Sequence, residues 1–229
     1  MAYPNKQEYK MPDSLQPARS IGDVGQLMGK VYGLLSLTLI VSTIASIFGM
    51  HSAFAYQHPI ILMIGSFALL FAIQYTGARH SPFAVPLVFA FASGMGMMMG
   101  PAIASYLKMP GGATIIAEAL GTTAAMFVGL SAYALMTRRN FSHIGGFLIT
   151  GLIVAIVVSL LNIFLFHIAA LQMAIAGVLV LVFSGLILFD TQRMVQGGTT
   201  EPVLIVVGLY LDIINLFMAL LQIFGGSRE

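Results

Sequence analysis

Three carboxylates stand where a carboxylate is hard to place. Glu118, Asp190 and Asp212 lie within or at the ends of runs built otherwise from Leu, Ile, Val, Phe, Ala and Met. An acid near the middle of a bilayer costs a few kcal/mol even on the gentler insertion scales, so such groups turn to a bundle interior and serve a function or a partner. Asp212 sits in LYLDIINLFMALLQIF, residues 209–224. Gly208, Asp212, Asn215, Ala219 and Gln222 follow one another at steps of four, three, four and three, which is one face of a helix. The spacing predicts an inward stripe of polar and small side chains on an otherwise greasy helix. Glu118, Thr122, Ala125, Gly129 and Ala132 repeat the pattern. They predict a second stripe that faces the first across an interior cavity.

Asp190 ends an apolar run, and Arg193 follows three residues later, close enough for an ion pair on one helix. If that helix runs on to Gln196, Asp190 lies about 9 Å inward from its end, and Asp212 lies about 14 Å inward from Val203. A short connection joins the two helices, so both depths are measured from the same side. Two carboxylates at similar depth on adjacent helices can share one proton. Such a pair is a pH sensor. Doubly ionised, it repels itself or captures a divalent cation, since hard cations favour carboxylate oxygens.

The elements that must hold these acids are membrane helices. Of 229 residues, 59% are hydrophobic and 8% charged, and the mean hydropathy is +0.95. A soluble domain carries roughly 25% charged residues, so this chain has too few charges to cover a soluble surface. There is no Cys, which excludes disulfides and thiol chemistry. The five His residues show no zinc-type ligand spacing, and no resident cofactor is expected. The net charge of +2 comes from scattered basic residues and gives no sign of nucleic-acid binding. Residues 1–27 are polar, hold Pro4, Pro12 and Pro17, and lack a signal-peptide core. They read as a flexible cytosolic tail ahead of a membrane domain over 28–229.

That domain contains seven apolar runs, at about 31–48, 59–75, 83–104, 113–136, 144–166, 169–189 and 203–224. Each is long enough for a spanning helix and too long for a barrel strand. The fold class is therefore all-α, a seven-helix transmembrane bundle. With the N-terminus inside, the inner segments hold Lys6, Lys10, Arg19, Lys30, Arg79, Arg138, Arg139 and Arg193, and the outer segments only Lys108 and Arg228. Eight against two predicts a cytosolic N-terminus and an outer C-terminus. Gly96 and Gly100 form a GxxxG face at which two helices approach closely.

FDTQRM (189–194), the GG that follows, and LYLDIINLFMALLQIFG (209–225) resemble the C-terminal signature of the Bax inhibitor-1 family. AEALGTT (117–123), GPAIASY (100–106) and LNIF (161–164) match it in the right order. The resemblance covers nearly everything beyond the tail. It implies a seven-helix fold with the last helix central, in the bacterial inner membrane. It implies a pH-sensitive calcium leak in which an aspartate pair, here Asp190 and Asp212, is the sensor and a possible calcium site. Glu118 matches an acidic residue of the family's fourth helix. Leak members also carry a basic latch in the second helix. Here Gln74 or Tyr75 stands at that place, with Arg79 about one turn later, so Arg79 and Arg193 are the candidate latches. The SAYALMTRR segment (131–139) looks like a second branch, the YccA-like proteins, which restrain a membrane-anchored AAA protease.

Two functions follow. One is a cation leak, favoured by the presence of both aspartates. The other is a modulator of membrane proteolysis or stress survival without transport, with the polar tail as the element a protease engages. An intramembrane aspartyl protease is a remote third, because its GxGD and PAL motifs are missing. No enzyme activity is expected.

Overall fold

The computed structural model describes residues 21–77, 79, 81–137, 141, 143–196 and 201–227. Among them every regular element is helical: α1 (Ile21–His51), α2 (Ala53–Gln57), α3 (Pro59–Gly77), α4 (Ala84–Leu107), α5 (Gly112–Met136), α6 (Ile144–Leu161), α7 (Ala169–Val195) and α8 (Pro202–Gly226). A π-helical turn, Asn162–Phe166, extends α6. Seven helices are long and apolar enough to cross a membrane, and all but the short α2 belong to this set. Each expected span is present. Most helices run a few residues past the apolar stretch, because hydropathy marks only the hydrocarbon layer while a helix continues through the interface. α1 begins at Ile21, inside the segment read as tail. Residues 1–20, Arg138, Arg139 and Arg228 lie outside the described residues.

α8 is the axis of the bundle. In its most apolar stretch 72% of residues are buried, against 33% or fewer in each other spanning helix. It packs against α1, α3, α4, α5 and α7, while α6 packs on the outside of α7. Two apolar clusters surround it. One gathers Phe91, Val206, Leu209 and Tyr210 near its start. The other gathers Phe183, Leu216, Leu220 and Leu221 toward its end. The interval between them holds Asp212 and Asn215.

The tightest helix pair is α1 with α4. A methyl group added at Gly96 would press into the Ser42 carbonyl and the Ala45 side chain. At Gly100 it would meet the backbone of Gly49 and Met50, and at Gly49 the backbone of Met97. Lipid offers no hydrophobic drive for helix association, so such close backbone approach supplies the van der Waals contact that joins the two. The GxxxG face therefore does what its spacing predicts. Gly96→Val should force α1 and α4 apart and cost about 2 kcal/mol or more, as overpacking does. Gly121→Ala, whose added methyl would have nothing within 4 Å, should stay within about 0.5 kcal/mol of wild type. Thermal unfolding in detergent, followed by circular dichroism, compares them. Equal stability of the two variants would refute the close approach.

Candidate functional site

Asp212 is 6% exposed, and its Oδ2 has no hydrogen-bond partner. One helical turn back, Gly208 makes room for the other acid. A Cβ at Gly208 would lie 2.6 Å from Oδ2 of Asp190. The Asp190 carboxylate thus rests on the bare backbone of α8 about one turn, roughly 5.4 Å of rise, nearer the helix start than Asp212. The two acids are close enough to interact electrostatically. Similar depth is therefore refined to a stagger of one turn. α7 ends at Val195 and α8 starts at Pro202, which sets Gly208, not Asp212, level with Asp190.

Asp190 opens onto a cleft of about 310 Å³ that also contains Gln74 of α3, Arg193 and Gly208. Of the two candidate latches, Arg193 lines the same cleft as Asp190. Arg79 does not. Its guanidinium stacks 4.0 Å from the ring centroid of Tyr75, and Tyr75 is an exposed residue on the outside of the bundle. The cation–π contact draws Arg79 away from the cleft, and Gln74 is the α3 side chain that faces Asp190. The rest of the FDTQRM segment is structural. Thr191 lies 3.4 Å from Ser131 across α5, and the Gln192 amide oxygen accepts from the Phe141 N–H at 2.6 Å.

The second predicted stripe does not face the first. Glu118, Ala125, Gly129 and Ala132 are exposed and Thr122 is half-buried. The buried face of α5 instead runs through Gly112, Ile115, Ala119, Thr123, Ser131 and Ala134. It is offset by about one residue, or 100° of rotation. α5 carries small side chains on several faces, so either stripe satisfies the spacing.

The α8 stripe is largely inward. Asn215 folds back, its Nδ2 donating to the Leu211 carbonyl at 2.7 Å. Gln222 accepts from Nε2 of Gln172 at 3.2 Å. Gln172 in turn accepts from Nδ2 of Asn162 at 3.3 Å, and Asn162 also bonds both the N–H and the carbonyl of Ile168. This carboxamide chain fastens the π-turn at the end of α6 to the start of α7 and the end of α8. At His167 the backbone takes a left-handed φ of 53° to make the bend. Gln222 is therefore a fastening residue as well as a member of the stripe.

Three hollows follow one side of α8. The Asp190 cleft comes first. A second hollow, about 520 Å³, is bounded by Asp212, Asn215 and Ser66, and shares Leu70, Gly208 and Leu211 with the first. A third, about 1090 Å³, lies at the far end beside Gln172, Gln222 and Gly225. They exist because α3 and α4 do not pack substantially on α6 or α7; α8 and α5 lie between the two pairs.

No three His, Cys, Asp or Glu side chains gather as a metal site among the described residues. Calcium takes six to eight oxygens, so the two carboxylates alone fall short of a resident site. Sequence reasoning missed Ser66 and the buried bond of 2.7 Å between Ser42 and Tyr210. A signal was present for Tyr210, the lone hydroxyl of α8, whereas Ser42 and Ser66 share their helices with other hydroxyl residues. If Asp212 serves function and not folding, Asp212→Asn should unfold at a temperature no lower than wild type, since the amide removes an unpartnered charge. Gln172→Ala, which cuts the carboxamide chain, should cost about 1 kcal/mol. Thermal unfolding checks both, and a loss of about 2 kcal/mol in Asp212→Asn would make that acid a structural anchor.

Residues 24–229 match the family described as "Inhibitor of apoptosis-promoting Bax1". An uncharacterized membrane protein of Vibrio cholerae is 38% identical over 203 residues, covering 89% of this chain and 90% of the relative. The "Modulator of FtsH protease YccA" of Escherichia coli K12 is 36% identical over 205 residues, covering 89% and 92%. The "Bax inhibitor 1" of Schizosaccharomyces pombe is 35% identical over 205 residues, covering 86% and 74%. A second Escherichia coli relative, also 36% identical, is called "Inner membrane protein YccA". With seven apolar helices and relatives of this kind, the chain is an integral multi-pass protein of the inner membrane, and it belongs to the Bax inhibitor-1 family.

Proposed function

We propose that the protein is a pH-sensitive cation leak, with calcium the ion that its oxygen donors suit best. Asp190 and Asp212 sense protons at one mouth, on the cytosolic side if the basic residues orient the chain as expected. The single observation that supports this most is the placement of the staggered acid pair. One acid lies in a half-polar cleft, and the other is unpartnered in the next hollow along α8. Leu70 and Leu211 stand between the two hollows and act as the closed point of the path. Protonation changes the charge of the pair, and with it the repulsion between the two acids.

Calcium flux into liposomes tests the reading. Flux should change with pH in the wild type and lose that dependence in Asp212→Asn. Gly208→Ala should do the same while folding normally, because its methyl displaces only the tip of Asp190. Leu211→Ala should raise flux. An unchanged pH profile in Asp212→Asn would sink the reading.

A second role is supported by the relative named as a modulator of FtsH protease. In that role the chain engages a membrane-anchored AAA protease through its polar N-terminal tail, with no chemistry of its own. Deleting residues 1–20 keeps helix α1 whole. The protease should then co-purify with the full chain and not with the shortened one. Equal recovery with both would remove the tail from this role.

A further inference from the structure

The hollow beside Asp212 has a feature that a simple ion path does not need. Two of the residues that line it carry a buried polar atom without a partner, Oδ2 of Asp212 and Oγ of Ser66. The side chains are 6% and 4% exposed. Around them the wall is apolar and aromatic. The hollow also opens sideways. Met63, Phe67 and Ile156 line it, and they are 42%, 54% and 48% exposed on the outside of α3 and α6. The mouth therefore faces hydrocarbon. Arg193 lines the neighbouring cleft and not this hollow, so no cationic side chain among the described residues answers Asp212 here.

A pocket that is mostly greasy, with a few convergent polar groups, is the usual form of a small-molecule site. We infer that this hollow binds a hydrophobic amine that enters laterally from the bilayer. Its nitrogen pairs with Asp212 and Ser66, and its apolar body lies against Phe67, Phe91 and Phe183. An ammonium carries several N–H donors, so it can give one bond to each orphan oxygen, the one to the carboxylate charge-assisted. A neutral alcohol would donate one bond and leave any carboxylate charge unbalanced. A carboxylate or phosphate would be repelled. The site is that of the leak reading but does not depend on flux, because it rests only on Asp212 facing a side-opening hollow.

The molecule contains its own control. A second groove, about 400 Å³, opens between α1 and α5 and is lined by apolar residues and hydroxyls with no charged group. The full chain in lipid vesicles is photolabelled with a diazirine-bearing octylamine and, separately, with the matching octanol. Labelled residues are mapped by mass spectrometry. The amine-to-alcohol ratio at Phe67 and Leu179 should exceed that at Leu39 and Ile47 in the groove by about tenfold, the worth of one charge-assisted contact. Asp212→Asn should bring the two ratios together. Leu179→Trp, which fills the hollow and leaves the acid, should abolish labelling there and guards against a folding defect in the first variant. Asp190→Asn should leave labelling intact even where it alters flux, so a failed leak and a failed ligand site give different results. Equal ratios at both places, or an unchanged ratio in Asp212→Asn, would overturn the inference.

Discussion

A charged side chain on a lipid-facing helix can bend toward the headgroups. One on a helix enclosed by others has no such escape, and its surroundings are whatever its neighbours supply. α8 is in that position, touched by five of the other spanning helices. Much of the structure can be derived from its enclosure. The α1–α4 glycine contact brings two helices close enough to wall one side. Tyr210 then ties α8 to both. Its Oη lies 2.7 Å from Ser42 Oγ of α1 and 3.5 Å from the Ala92 carbonyl of α4, and its ring meets Phe91 edge-on at 5.8 Å. On the opposite side the α3–α4 and α6–α7 pairs stay apart. The stripe of α8 that faces this gap is the one that carries Asp212.

The seven spans were legible because hydrocarbon thickness dictates length and apolarity with little freedom. The GxxxG contact was legible for a related reason, since only glycine permits that approach. The α8 stripe could be read because few polar residues interrupt a uniform background. α5 gave no such contrast. Its glycines, alanines and threonines are spread around the helix, so spacing alone selected Glu118–Ala132 when Ile115–Ala134 is the buried face. The Arg79 latch failed on rotation as well. Position along the chain put it one turn from Gln74, but the Tyr75 ring captured it on the outer side. Sequence fixes a rise of 1.5 Å per residue well, and it leaves the rotation of a helix about its axis to packing. The same limit explains the acid pair. Its two members were identifiable, while the stagger depended on where α7 stopped and on Gly208 offering room.

The two functional readings use parts of the molecule that are mechanically joined. The tail leads into α1, and α1 is bonded to Tyr210, two residues from Asp212. Breaking a buried hydrogen bond and leaving its donor or acceptor unsatisfied costs about 1–3 kcal/mol. The packed glycines of α1 and α4 resist separation further. α1 and α8 are therefore held together at this point by a buried bond and close packing. A partner that held the tail would act on the same helix that positions the acid pair, and a change in the charge of the pair would act back on α1 by the same contacts. The two proposed roles therefore use helices joined directly by the Ser42–Tyr210 hydrogen bond.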